Sequence, residues 1–97
     1  MFVITFTWDD RKAAANFVKH GVSFALAQEV WSDPLYVVIP DRFVDGEQRW
    51  HAVGTVGHVV VLVVVHSHPL ADDDATIRII SARRATRQER RRYEEST

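Results

Sequence analysis

Residues 59–66 read Val59-Val60-Val61-Leu62-Val63-Val64-Val65-His66, seven aliphatic side chains in succession closed by a histidine. Such a run has no polar face to turn toward water, so it predicts a strand in the middle of a sheet, covered on both sides. Its length is far short of the roughly 20 residues that span a bilayer as a helix. Working outward, residues 35–43 and 48–56 are apolar-rich and predict two more strands, with Asp45-Gly46 between them as a tight hairpin turn. Downstream, a turn over 69–74 leads into a further strand over 76–82. Three hairpin-like links in a row predict a mostly antiparallel sheet.

The outer segments add a strand and three helices. Residues 2–8 alternate around β-branched side chains and predict a first strand. Asp9 or Asp10 can cap a helix that runs through Lys19 and His20, with Gly21 at its left-handed end. Ser23 can cap a second short helix, closed by Pro34, in which Phe24, Ala27 and Trp31 are spaced to share one buried face. Thr86 followed by Glu89 predicts a capping box for a last helix. The expected order is β-α-α-β-β-β-β-α, a single α+β domain over residues 1–97 with its helices packed on one face of the sheet.

Composition narrows the chemistry. With 97 residues, 46% apolar and 26% charged, the chain has the balance of one globular domain and not of a disordered segment. The absence of cysteine excludes disulfides, thiolate metal sites and thiol nucleophiles. The start Met1-Phe2-Val3 carries no basic, then apolar, signal pattern, so a cytoplasmic location without a membrane association is expected. A net charge of −1 conceals a skew, because Arg78, Arg83, Arg84, Arg87, Arg90, Arg91 and Arg92 fall in the last quarter behind an acidic run, Asp72 to Asp74. Arginine-rich segments suit phosphate, although a solvated helix face is the better account of the outermost arginines.

Several residues are able to carry chemistry. Lys12, Asn16, Lys19 and His20 are spaced to share one polar helical stripe, which can serve proton transfer or can merely complement the helix dipole. Arg49, His51, Val53 and Thr55 alternate onto one strand face next to Glu47, giving either an anion site or an exposed face with an internal salt bridge. Arg78 sits among Ile77, Ile79 and Ile80 and needs a partner there, a protein carboxylate or a ligand phosphate. Arg83 and Arg84 follow at the strand end. His66 and His68 with Asp72 to Asp74 raise a metal site, although a strand end followed by a solvated turn accounts for them.

Taken in order, the residues resemble those of the BrnT toxins of type II toxin–antitoxin modules. The resemblance runs through Trp8-Asp9-Asp10-Arg11-Lys12-Ala13 and the stretch from Asn16 to Phe24. It continues at Ala27, Asp33, Asp41, Gly46-Glu47-Gln48-Arg49 and Gly54, and closes with the stretch from Ile77 to Thr86, Glu89 and Tyr93. It implies a RelE-like fold with an RNA-cleaving groove on the sheet face opposite the helices. It also implies an endoribonuclease that blocks translation without a metal or other cofactor. A BrnA-type antitoxin would neutralise it, and promoter DNA would be met only through that antitoxin. The implied cleavage is attack of the RNA 2′-hydroxyl on phosphorus, with His20 or Glu47 as acid–base group and Arg49, Arg78 and Arg83 on the phosphate. Lys12, Lys19, Arg84 and Tyr93 are the implied RNA-binding residues. The loop over 67–74 is longer and more acidic than the family pattern, and the Arg90-Arg91-Arg92 run is heavier. Two alternatives stand beside this reading: a catalytically silent module that binds an antitoxin in promoter autoregulation, and a metal-dependent nuclease built on His66, His68 and Asp72 to Asp74.

Overall fold

In the computed structural model, which describes residues 3–57, 59–70 and 72–96, the valine run is the hub of the fold. Five strands, Thr5–Thr7 (β1), Val37–Val44 (β2), Glu47–Val56 (β3), Val60–Ser67 (β4) and Thr76–Arg84 (β5), form one sheet in the order β1-β5-β4-β3-β2. Central β4 buries Val61, Leu62, Val63 and Val64 in succession, as a strand with both faces covered must. Its antiparallel neighbours register Val53 against Val63 and Val64 against Ala82. Asp45 and Gly46, with φ of 51° and 78°, make the β2–β3 hairpin turn that their sequence announces. The first strand is shorter than the expected 2–8 and pairs in parallel with β5, so the sheet is mixed; Phe2 lies outside the described residues.

Two helices pack on one face: Asp10–His20 (α1) and Phe24–Ala27 (α2), the latter running on into a 3-10 turn over Gln28–Ser32. Asp9 caps α1, accepting from the Arg11 and Lys12 amides, and Gly21 closes it at φ 70°. Ser23 caps α2 through the Leu26 amide. Phe24 and Ala27 are buried as expected, Trp31 packs half-buried against the same core, and Val30 joins them at 0% exposure. A 3-10 turn repeats every three residues, so the fully buried position after Ala27 is 30. Gly54 permits that approach, because a Cβ there would lie 3.0 Å from Val30 Cγ1 and 3.1 Å from Asp33 Oδ2.

Asn16 leaves the expected polar stripe and is buried. Its Nδ2 donates to the Val22 and Ala82 carbonyls and its Oδ1 accepts from the Ala82 amide. Short β1 pairs only with 76–78, and Asn16 supplies a ladder-like pair at Ala82 further along the same strand.

The last helix, Arg87–Glu95 (α3), departs from the one-sided arrangement. Its Tyr93 clusters with Val53, Val61 and Val63, whose side chains alternate with those of Ala52, Leu62 and Val64 under α2. The α3 helix therefore covers the opposite face at one end and leaves the other end open. The Thr86–Glu89 capping box is present as expected. Among the described residues no helix is long and apolar enough to cross a membrane.

Candidate active site

Strand alternation sorts the charged residues onto the face that carries α3. On β3, Glu47, Arg49, His51 and Val53 point there, and the register places Arg49 opposite Ser67 and Ser67 opposite Arg78. One cross-strand row thus reads Arg49, Ser67, Arg78. The next rows along β4 hold His51, Val65 and Ser81, then Val53, Val63 and Arg83. Four residues of β4 separate the Arg78 row from the Arg83 row, roughly 13 Å at a strand's rise of about 3.3 Å per residue.

The two rows differ in what the arginines touch. Arg78 Nη2 donates to Glu47 Oε1 at 2.6 Å; its side chain is 44% exposed, so it meets the carboxylate at the surface and not in the apolar interior that its isoleucine neighbours suggest. Arg49 makes no hydrogen bond or ion pair through its guanidinium among the described residues, and its Nε is buried without a partner. The hydroxyl of Ser67, between the two arginines, is likewise buried and unpartnered. A cavity of about 270 Å³ opens here, lined by Asp9, Lys12, Arg49, Arg78, Ile79 and Ile80. Three cations and the buried Ser67 hydroxyl stand beside two carboxylates, Glu47 bonded to Arg78 and Asp9 capping α1, a constellation whose cationic excess suits an anion such as a phosphodiester.

Arg83 instead meets both oxygens of Glu89, at 2.7 and 2.9 Å. The same Glu89 accepts from the Thr86 amide in the capping box. The Arg83 bond holds the Glu89 carboxyl down at about 2, and in turn raises the guanidinium further. Tyr93 is only 7% exposed; its hydroxyl donates to Asp33 in a short bond. Burial pushes Asp33 up, but hydrogen bonds from Tyr93, the Thr55 and Leu35 amides and the Thr55 hydroxyl outweigh it and hold the carboxyl at about 2. Burial, then the Asp33 bond, raises the Tyr93 phenol. Asp33 thereby ties α3 on one face to the 3-10 turn on the other.

Of the residues expected at the site, the structure brings together Glu47, Arg49, Arg78 and Lys12. Lys19 and His20 end α1, which packs on the other face, and no described hydrogen bond or ion pair joins His20 to the arginine row. Arg84 is exposed and points away from the Arg83 face, and Tyr93 is engaged in the core under α3. Ser67 is not singled out by the sequence and Asp9 only as a helix cap; once Arg49 and Arg78 are placed on the strands flanking β4, register arithmetic points to Ser67.

The acidic loop folds onto itself. Asp73 accepts from the Ala75 amide and the Thr76 hydroxyl, both at 2.8 Å, which lowers its pKa and caps the start of β5. His66 is 1% exposed, and burial pushes its imidazole down to about 4, so it is neutral; the His68 ring lies 5.6 Å away. Among the described residues no group of three or more metal-ligating side chains is assembled.

The profile of the BrnT ribonuclease toxins of type II toxin–antitoxin systems matches residues 8–89, nearly the whole described chain. The chain belongs to the BrnT family. The crystal structure of the Brucella abortus ribonuclease toxin BrnT, solved at 1.1 Å, superposes with a TM-score of 0.65 at 27% identity, covering 90% of this chain and 100% of that one. No curated protein matches. The matched span of this BrnT-family chain includes both arginine rows and strands β2 to β5.

Proposed function

We propose that this chain is a toxin that cleaves RNA at the Arg49–Ser67–Arg78 row, without a metal, and that a BrnA-type antitoxin neutralises it in the cytoplasm. The observation that carries the reading is the open arginine row. Arg49 is unpaired, Arg78 is shared with Glu47, and Lys12 lines the same cavity. In this reading a phosphodiester settles against Arg49, Arg78 and Lys12. Glu47 takes the proton of the RNA 2′-hydroxyl, whose oxygen attacks the adjacent phosphorus. The guanidinium groups stabilise the extra negative charge on the phosphoryl oxygens, and the bond from phosphorus to the 5′-oxygen breaks. A 2′,3′-cyclic phosphate and a 5′-hydroxyl result. Glu47 takes the base role because it touches Arg78, whereas His20 lies on another element. Arg83 is assigned to holding α3 in place.

The test is cleavage of an end-labelled single-stranded RNA by the purified chain in excess EDTA, with product ends analysed. Cleavage that survives EDTA, leaves cyclic phosphate ends and is lost in Glu47→Gln supports the reading. Chelator-sensitive cleavage or 5′-phosphate ends would sink it. Absence of cleavage both on free RNA and in a translating extract favours the silent antitoxin-binding module instead.

A further inference from the structure

The row adjoining Arg49 holds a histidine–aspartate contact that the mechanism above does not use. His51 lies two residues beyond Arg49 on β3, on the same face, with its side chain 27% exposed. Its Nε2 is 3.2 Å from Asp41 Oδ2 on the edge strand β2. Among the described residues Nδ1 has no hydrogen-bond partner. The other charged side chains near it are Arg49 on its own strand and Glu89 and Arg92 of α3, which line the 460 Å³ cavity that His51 also lines.

Glu47, Arg49 and His51 therefore stand in file on one strand face, with the phosphate-binding arginine in the middle. The strand spaces the outer two by roughly 13 Å between Cα atoms at about 3.3 Å per residue. In-line displacement at phosphorus needs this order, because the attacking and leaving oxygens lie on opposite sides of the phosphoryl group. A base on one side removes a proton, and an acid on the other supplies one. A histidine with one ring nitrogen held by a carboxylate is fixed in orientation, with the other nitrogen left for a substrate atom.

Resting on the RNA-cleavage reading, we propose that His51 is the general acid that protonates the leaving 5′-oxygen and that Asp41 positions it. The step balances. The 2′-hydroxyl proton passes to Glu47 as the bond from O2′ to phosphorus forms. The Nδ1 proton of His51 passes to the 5′-oxygen as its bond to phosphorus breaks. The enzyme returns to its starting state when Glu47 gives its proton to water and His51 takes one up.

A leaving group that needs no proton separates this role from a structural one. The substrate is a short RNA carrying sulfur in place of the 5′-oxygen at a position already mapped as cleaved, since a thiolate departs unprotonated near neutral pH. On ordinary RNA, His51→Gln is expected to slow single-turnover cleavage about a hundredfold, within the range for a lost general acid. On the sulfur substrate the same variant is expected to cleave within about threefold of the parent chain, while Arg49→Ala stays slow on both. Asp41→Asn, which keeps His51, is expected to lose about tenfold on ordinary RNA with the same rescue. Equal losses on both substrates, or no loss on either, would overturn the assignment of His51. If the parent chain cleaves RNA neither free nor in a translating extract, the nuclease reading itself falls and the assignment falls with it.

Discussion

At one end of the α3-bearing sheet face, Arg83 is held by both carboxylate oxygens of Glu89, and Tyr93 is held by Asp33. Roughly 13 Å along β4 at the other end, by strand rise, the Arg49 guanidinium has no partner among the described residues and the Ser67 hydroxyl beside it is buried without one. Both ends present arginine on the same sheet, and only the partners differ. Where α3 crosses, the Arg83 guanidinium and the buried Tyr93 hydroxyl have been answered by the chain itself, as a covered face requires. Where α3 does not reach, cationic and hydroxyl capacity is left over for something from outside. Arginine on a strand is therefore a site or a strut according to whether a helix carboxylate reaches it.

The contrast can be broken most sharply with the open end. Arg49→Ala and Arg78→Ala are each expected to lower RNA cleavage about 10²–10³-fold, the scale for removing one group that stabilises transition-state charge, with thermal stability nearly unchanged. Single-turnover kinetics beside thermal melts measure both. A large fall in melting temperature with little loss of activity would reverse the roles of the two ends.

Acid sharpens the comparison next. Behind the open end, on the other face, His66 is neutral with a pKa lowered to about 4 from 6.5. Its unfolded form binds a proton more readily, so the stability of the neutral site is full above about pH 6.5 and is lost as pH falls toward 4, roughly 3 kcal/mol in all. Asp33 and Glu89 at the closed end have folded pKa values of about 2, so their stabilisation is present above the ordinary carboxylate range and is lost only as pH falls toward 2. Urea denaturation at stepped pH is expected to show two losses in that order. His66→Phe is expected to remove the first, and its persistence in that variant would exclude His66 as the cause.

At the closed end, Tyr93→Phe leaves Asp33 with one donor fewer and is expected to cost about 1–3 kcal/mol in denaturant unfolding, with the cleavage rate of the folded protein unchanged. Smallest is Arg83→Ala. Its pair with Glu89 is about one-third exposed, so solvent screening limits the loss to about 1 kcal/mol, and cleavage is expected to stay within about threefold of the parent chain. A hundredfold loss of cleavage would move Arg83 into the site.

Much of the fold was legible because its determinants are local. The unbroken valine run placed β4 at the centre, Asp45-Gly46 fixed the hairpin, and Asp9, Gly21, Ser23 and Thr86 marked helix ends that the structure keeps. What escaped depends on distant partners. Asn16 is buried because it bonds Ala82, 66 residues away, and no spacing within α1 signals that. Val30 takes the deepest position, with Trp31 packed half-buried beside it, because the chain tightens into a 3-10 turn. The side on which α3 lies depends on where β5 ends and on a tyrosine that meets Asp33, 60 residues back. For the site, the residue types were visible and their grouping was not. Glu47 and Arg78 lie 31 residues apart and meet only through β4, while His20 shares no strand with them.

The most direct test of the contrast is single-turnover cleavage of one labelled RNA, in EDTA, by the Arg49→Ala and Arg83→Ala variants side by side, each confirmed folded by circular dichroism. The expected result is near-abolished cleavage in Arg49→Ala and near-parental cleavage in Arg83→Ala. Retained cleavage in Arg49→Ala together with loss in Arg83→Ala would contradict the placement of the active site at the open end of the sheet.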